Sequence, residues 1–393
     1  MIYYRKTLSS SGPKLTAVQR KGAIKSTFNI YNERMISILI AFIVSFIATI
    51  IILRTQHLHR SISGDLDFHG IQKFHYQVVP RIGGLAIGLG LFASITLSFL
   101  TRPEEFFQIL ILICAIPTFA IGLAEDCTKK LSVKIRLLFT AFSGLLVCQY
   151  LNIQVTRLDI PIIDLVFNIP MVSTLFTILA ITGLANAYNI IDGFHGLSSM
   201  VGMITLTALG YVGFKVGDPT IMSLSFSMGG AILGFFLFNY PRGLIFLGDA
   251  GAYLIGFWIA VIAILLVKTH PKISPWFAIM INAYPVMETT FTIYRRKFHQ
   301  GKSPGHPDGI HIHSLIFRRI LNPKNINTEL EWFDANSKTS PYLWVLSSLA
   351  VIPAVLFWNS TPILIGFLFM FICFYLWIYR RIVIFKTPKW LHI

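Results

Sequence analysis

The sequence predicts an all-α, polytopic integral membrane protein, and three observations carry that prediction. Hydrophobic residues make up 54% of the 393-residue chain and charged residues only 13%, whereas soluble domains are about 25% charged. The apolar residues gather in runs of roughly 20, the length that crosses a bilayer as a helix. Polar residues fall in the connections between these runs, and no stretch reads as a loop-rich soluble domain.

In chain order the runs cover residues 35–53, 83–100, 106–124, 135–151, 171–187, 197–214, 221–238, 244–267, 275–291, 342–357 and 362–379, about eleven spans. The seventh and ninth are the weakest, and the ninth contains Pro275, Pro285 and Glu288. The chain divides into a basic tail (1–34), a transmembrane domain (35–380) and a short basic C-terminal tail (381–393). Met35 opens the first apolar run directly, and no cleavable signal peptide is apparent. No internal repeat is visible, so the inverted-repeat signature of many transporters is missing. Cys114, Cys127, Cys148 and Cys373 form no CxxC and imply neither a disulfide framework nor a zinc site.

Lys and Arg number 33 against 17 Asp and Glu, a formal charge of +16. Because this charge lies between apolar runs, it reads as loops facing anionic membrane lipids rather than as a nucleic-acid surface. With eleven spans, one face receives residues 57–81, 125–134, 186–196, 239–249, 294–340 and the C-terminus. That face carries roughly two-thirds of the Lys and Arg and is cytoplasmic by the positive-inside rule. The basic N-terminal tail falls on the other side, against the rule.

The acidic groups cluster on the same face. Glu125 and Asp126 end the third span, Asp192 opens the sixth, Asp249 opens the eighth, and Glu288 lies within the ninth. A charged group at membrane depth costs roughly 2.5–3.5 kcal/mol, so such groups are functional candidates. Helix capping accounts for Asp192 or Asp249 taken singly, but less well for the whole set on one side. In NAYNIIDGFHGL, Asn186, Asn189 and Asp192 recur every third residue and share a helical face. Gly193 and Gly196 there, like Gly248 and Gly251 in FLGDAG, allow close backbone approach; small-residue helix packing is the alternative for either cluster alone. Carboxylate and amide oxygens of this kind suit Mg²⁺, held by one or two carboxylates together with substrate phosphates.

Cations surround these acids. Lys129, Lys130, Lys134 and Arg136 follow Asp126, and YRRKFHQGKSPGHPDGIHIH brings Arg295, Arg296, Lys297, Lys302, His306, His311 and His313 into one loop. A solvated flank explains the arginines better than the histidines. In an extended segment His311 and His313 point the same way and can meet phosphate or metal, although no thiolate or HExxH accompanies them for zinc. Upstream, KFHYQVVPRIGG adds His75, Arg81, Gly83 and Gly84. A Mg²⁺ site, phosphate-binding cations and a base at a bilayer surface fit phosphoryl transfer, with one amphipathic substrate.

The ordered motifs PRIGG, GLAEDCTKK, NAYNIIDGFHGL, FLGDAG, YPVMET and SPGHPDGIHIH resemble those of the polyprenyl-phosphate N-acetylhexosamine-1-phosphate transferases of glycosyltransferase family 4. The resemblance runs from about His75 to His313 and extends to the phospho-MurNAc-pentapeptide translocase. It implies transfer of a sugar-1-phosphate from a UDP-sugar to polyprenyl (undecaprenyl) phosphate, with release of UMP. That reaction starts cell-surface polysaccharides such as O-antigen at the cytoplasmic face of the bacterial inner membrane. The resemblance also implies Mg²⁺, with Mn²⁺ as an alternative ion; a homodimer is compatible with it.

Carried onto this chain, it makes Asp249 and Asn189 metal ligands and Asp192 the conserved NxxNxxDG carboxylate. Glu125 and Asp126 take the paired-aspartate position that orients or deprotonates the lipid phosphate. Lys129 matches the lysine three residues on, and His311 and His313 the histidine motif of the nucleotide-sugar end; His75, Arg81 and Asn186 are further substrate-binding candidates. Glu125 and Glu288 stand where Asp is usual. His195 stands where relatives have Asp or Asn, a position read as facing the nucleobase. The HIHS motif lacks the triple histidine of the peptidoglycan translocase, which argues against that branch. A transporter and a non-catalytic scaffold are the rival classes.

Overall fold

A computed structural model describes residues 17–65, 78–301, 308–321, 329–388 and 391. His75, Lys302 and His306 lie outside the described residues. The helices are α1 (Ala17–Arg54), α2 (Gln56–Ser63), α3 (Gly83–Thr101), α4 (Phe106–Thr128), α5 (Val133–Leu151), α6 (Pro161–Phe167), α7 (Pro170–Ile191) and α8 (Leu197–Val216). They continue as α9 (Pro219–Asn239), α10 (Gly248–Thr269), α11 (Pro275–Ile281), α12 (Ala283–Tyr294), α13 (Ile312–Arg319), α14 (Glu329–Leu356) and α15 (Thr361–Val383). Among the described residues, extended pairing is limited to β1 (Gly64–Asp65) against β2 (Val79–Pro80), antiparallel.

Ten helical segments among the described residues are long and apolar enough to cross a bilayer. They coincide with the expected spans except for the ninth, which is split into α11 and α12 at Asn282. Pro285, three residues past that break, has no N–H to give to Ile281, so a continuous helix would lose a bond there. Asn282 offsets part of the loss, its Nδ2 donating to Ala278 O at 2.9 Å. The first span falls at Arg34–Arg54, as expected, and α1 extends from it back to Ala17.

Contacts between connections sort them onto two ends of the bundle. At one end Arg34 pairs with Glu105 at 2.6 Å, His270 with Asp218 at 2.9 Å, and Arg157 Nη2 donates to the carbonyls of Pro271 (3.0 Å) and Ile273 (2.6 Å). Ser274 N, just before α11, donates there to Trp358 O at 3.0 Å. At the other end, Arg295 follows α12 and pairs with Asp308, and His195 N donates to Asn336 at 3.1 Å. The broken α11–α12 pair therefore carries the chain from one end to the other, and the expected alternation of loops holds.

The core of the bundle is α10, buried from Gly248 through Leu266. A helix apolar all round belongs inside a bundle, and α10 packs on α3, α4, α7 and α8. The outer helices leave apolar side chains such as Leu138, Leu179 and Phe369 about two-thirds exposed, as a lipid-facing surface requires. Backbone contact sets the position of α10 against α3. A Cβ on Gly84 would lie 2.2 Å from Gly251 N, so this crossing tolerates no side chain. Gly84→Ala should therefore cost about 1–3 kcal/mol, read as a lower melting temperature in detergent. Gly229→Ala, where nothing lies within 4 Å of the added carbon, should leave it unchanged or slightly raised.

Candidate active site

The site begins with a carboxylate placed against a helix end. Asp126, in the last turn of α4, is fully buried. Its Oδ1 accepts from the backbone N–H of Asp249 at 2.8 Å and its Oδ2 from that of Ala250 at 2.9 Å. The first N–H groups of a helix have no intrahelical acceptor and carry partial positive charge, so one buried acid satisfies the start of α10. Gly248 makes this approach feasible: its φ is +75°, and a Cβ there would lie 2.0 Å from Arg81 O and 2.6 Å from Asp126 Oδ2. The strand preceding α3 joins the same knot. Phe246 N donates to Pro80 O at 2.9 Å, while Gly83 and Gly84 donate to Phe246 O and Leu247 O at 3.0 and 2.8 Å.

Held this way, Asp249 meets two guanidinium groups. Arg136, in the first turn of α5, forms an ion pair with its Oδ2, and Arg81 Nη2 lies 3.6 Å from its Oδ1. Arg81 also lies 3.9 Å from Asp126 Oδ1. Arg136 is the site residue that sequence reading placed only nearby; its position four residues after the Ser132 cap of α5 was the available signal.

The third contribution comes from the end of α7. Asp192 terminates that helix, and its N–H donates to Asn189 O at 3.2 Å. Burial, with the neighbouring Asp249 carboxylate, pushes the Asp192 carboxyl up to about 8, against the pull of Arg81. Asp192 thus lies within electrostatic reach of both Asp249 and Arg81. Asn186 and Asn189 are half-buried, and among the described residues their side-chain amides have no hydrogen-bond partner. The amide oxygen of Asn189, one turn before Asp192 on α7, and the Asp192 and Asp249 carboxylates are hard-oxygen donors of the kind Mg²⁺ takes. No group of three or more His, Cys, Asp or Glu among the described residues forms a cage by itself. The arrangement therefore fits a cation completed by substrate phosphates, with Asp249 and Asn189 as the groups to hold it.

Other expected residues divide by position. Glu125 is half-buried, its Oε2 accepting from Leu131 N at 2.8 Å, whereas Asp126 has no exposed surface. Lys129, left-handed at φ 54°, closes α4 and reaches Gly64 O. His195 turns into the scaffold. Its Nδ1 lies 3.2 Å from Pro241 O, its ring covers Gly243, and it is 3% exposed. His311 and His313 come together as expected, rings stacked with centroids 5.1 Å apart. His313 also touches Gly193, next to Asp192.

His313 yields a pH prediction. Burial, then His311, push it down to about 3, against Glu288 and Asp308, and its Nδ1 is buried without a partner. An unfolded histidine takes up a proton near pH 6.5, which the folded one refuses. Its contribution to stability is therefore full above that pH and lost progressively as pH falls toward 3. On the order of 2 kcal/mol should be lost by pH 5. His313→Gln should flatten that part of the pH–stability curve measured by thermal melting.

Comparisons with known proteins identify the family. The model of glycosyl transferase family 4 matches residues 108–267, from α4 to the end of α10. The chain is 30% identical over 287 residues to a probable undecaprenyl-phosphate N-acetylglucosaminyl 1-phosphate transferase of Bacillus subtilis, covering 72% of this chain and 78% of the relative. It is 32% identical over 263 residues to the undecaprenyl-phosphate alpha-N-acetylglucosaminyl 1-phosphate transferase of Escherichia coli K12, covering 65% and 70%. The Salmonella typhi enzyme of that name is 31% identical over 267 residues. The chain belongs to glycosyl transferase family 4, among the polyprenyl-phosphate N-acetylhexosamine-1-phosphate transferases.

Proposed function

We propose that the protein transfers an N-acetylhexosamine 1-phosphate from its UDP-linked form to undecaprenyl phosphate, releasing UMP and starting a lipid-linked surface polysaccharide. One observation carries the reading: Asp249, at the start of α10, meets Arg81 and Arg136, with Asp192 within electrostatic reach. Acids with paired cations at one end of the bundle suit a diphosphate at the membrane surface. A transporter would need them along a path through the midplane. The relatives above are named as undecaprenyl-phosphate N-acetylglucosaminyl 1-phosphate transferases, which favours that sugar class over the muramyl-pentapeptide.

In this reaction an oxygen of the lipid phosphate attacks the β-phosphorus of the UDP-sugar. A new P–O bond forms, and the bond from the β-phosphorus to the bridging oxygen breaks with its electron pair leaving on UMP. Glu125, with Asp126 buried behind it, orients the lipid phosphate and takes its proton where one is present. Arg81, Arg136 and Lys129 balance the phosphate charges, and the His311–His313 pair holds the nucleotide-sugar end. Mg²⁺, or Mn²⁺ in its place, supplies charge neutralisation on the diphosphate when bound by Asp249 and Asn189. The site end is the cytoplasmic one by its excess of Lys and Arg.

The test is UMP release by purified protein in detergent with undecaprenyl phosphate, Mg²⁺ and a panel of UDP-sugars, the lipid product being identified by mass spectrometry. Lipid-dependent release that a chelator abolishes is expected, strongest with a UDP-N-acetylhexosamine. Asp249→Asn, folded as judged by melting, should lose about 10²–10³-fold in kcat. Near-normal turnover in that variant would remove the metal assignment, and no release with any donor would remove the reading itself.

A further inference from the structure

Behind the histidine pair lies a buried acid that the proposed reaction does not use. Glu288, in the middle of α12, is 1% exposed. Its Oε1 lies 2.9 Å from His311 Nδ1 and 3.3 Å from the N–H of Ile312, and its Oε2 accepts from Tyr375 O–H of α15 at 2.8 Å. Thr292, one turn along α12, adds an Oγ1 at 3.2 Å from the same Nδ1. A carboxylate with both oxygens engaged cannot rotate, and it accepts only from a ring nitrogen that carries a proton. His311 is therefore fixed in orientation and in Nδ1–H form. Its opposite nitrogen, Nε2, has no hydrogen-bond partner among the described residues and is not sealed from its surroundings.

Three helices meet at this point. Glu288 comes from α12, His311 leads into α13, and Tyr375 belongs to α15. Nothing lies between the acid and the ring, while the ring's other side stacks on His313, which touches the Asp192–Gly193 turn. The same surroundings hold Asp308, which pairs with Arg295 and lies 3.8 Å from Arg296 Nη1. One ring nitrogen of His311 is held by the acid, and the other has no hydrogen-bond partner among the described residues.

We infer that Glu288 is a positioning residue: it fixes His311 so that Nε2 is presented to a phosphate oxygen of the nucleotide-sugar. The inference rests on the proposed transferase reading. Tyr375 acts one step further back by holding the carboxylate. Acid partners behind a metal-ligating histidine are typically worth about 10–100-fold, and the same order is expected where the ring meets a phosphate.

The experiment is a double-mutant cycle on the full chain in detergent, with Glu288→Gln, His311→Gln and the double variant. KM and kcat are measured separately for the nucleotide-sugar and for undecaprenyl phosphate, and melting temperature serves as the folding control. Glu288→Gln should lower kcat/KM for the nucleotide-sugar by about 10–100-fold and leave KM for the lipid unchanged. The double variant should lie within about threefold of His311→Gln alone, because the acid acts through the ring. If Glu288→Gln fails to fold, Tyr375→Phe should show a smaller loss that likewise disappears in the His311→Gln background. Losses that multiply, or that fall equally on both substrates, would overturn the inference while leaving the transferase reading intact. A wild-type protein inactive with every nucleotide-sugar would remove both.

Discussion

The contact between Asp126 and the start of α10 is the constraint on which the rest of the site depends. A buried carboxylate without partners is costly, and so is a buried helix start with open N–H groups. Each cancels the other's cost when Oδ1 and Oδ2 take the N–H groups of Asp249 and Ala250. The same contact fixes where the Asp249 side chain leaves the helix, and so where Arg81 and Arg136 must stand. The hydrogen bonds of residues 80–84 to Phe246 and Leu247 complete the frame. A charged site can then sit at the end of the most buried helix, beside water, while the helix behind it stays apolar.

The two ends of the bundle use polar residues differently. At the end away from the site, Asp218 caps α9 and meets His270, and Arg157 spans the Pro271 and Ile273 carbonyls. At the site end, several polar groups are left open. Asn186 and Asn189 lack partners among the described residues, and the Nδ1 of His313 is buried unpaired. An unpaired buried group such as the His313 Nδ1 costs stability.

Much of this was legible in the sequence. Span length and apolarity located the long helices because the bilayer imposes one length on all of them. The acids and amides stood out because charge near hydrocarbon demands a reason. Pairings were not legible: Asp126 with α10 joins residues more than a hundred positions apart, as does Arg136 with Asp249. Direction was not legible either. His195 carries the chemistry to read a base, yet its ring turns onto Gly243 and Pro241, and nothing in local spacing reveals that. The break at Asn282 was half-visible, since Pro285 warned of a weak span without showing that two short helices would share the crossing.

The most direct test of the central claim, that Asp126 builds the site through the backbone of α10, is cation binding rather than turnover. Mn²⁺ binding followed by electron paramagnetic resonance, with UMP present, would compare wild type, Asp249→Asn and Asp126→Asn. The account requires UMP-dependent Mn²⁺ binding in wild type and its loss in Asp249→Asn. It also requires about 10–100-fold weaker binding in Asp126→Asn, although Asp126 has no surface with which to touch the ion. Wild-type affinity in a folded Asp126→Asn protein would contradict it.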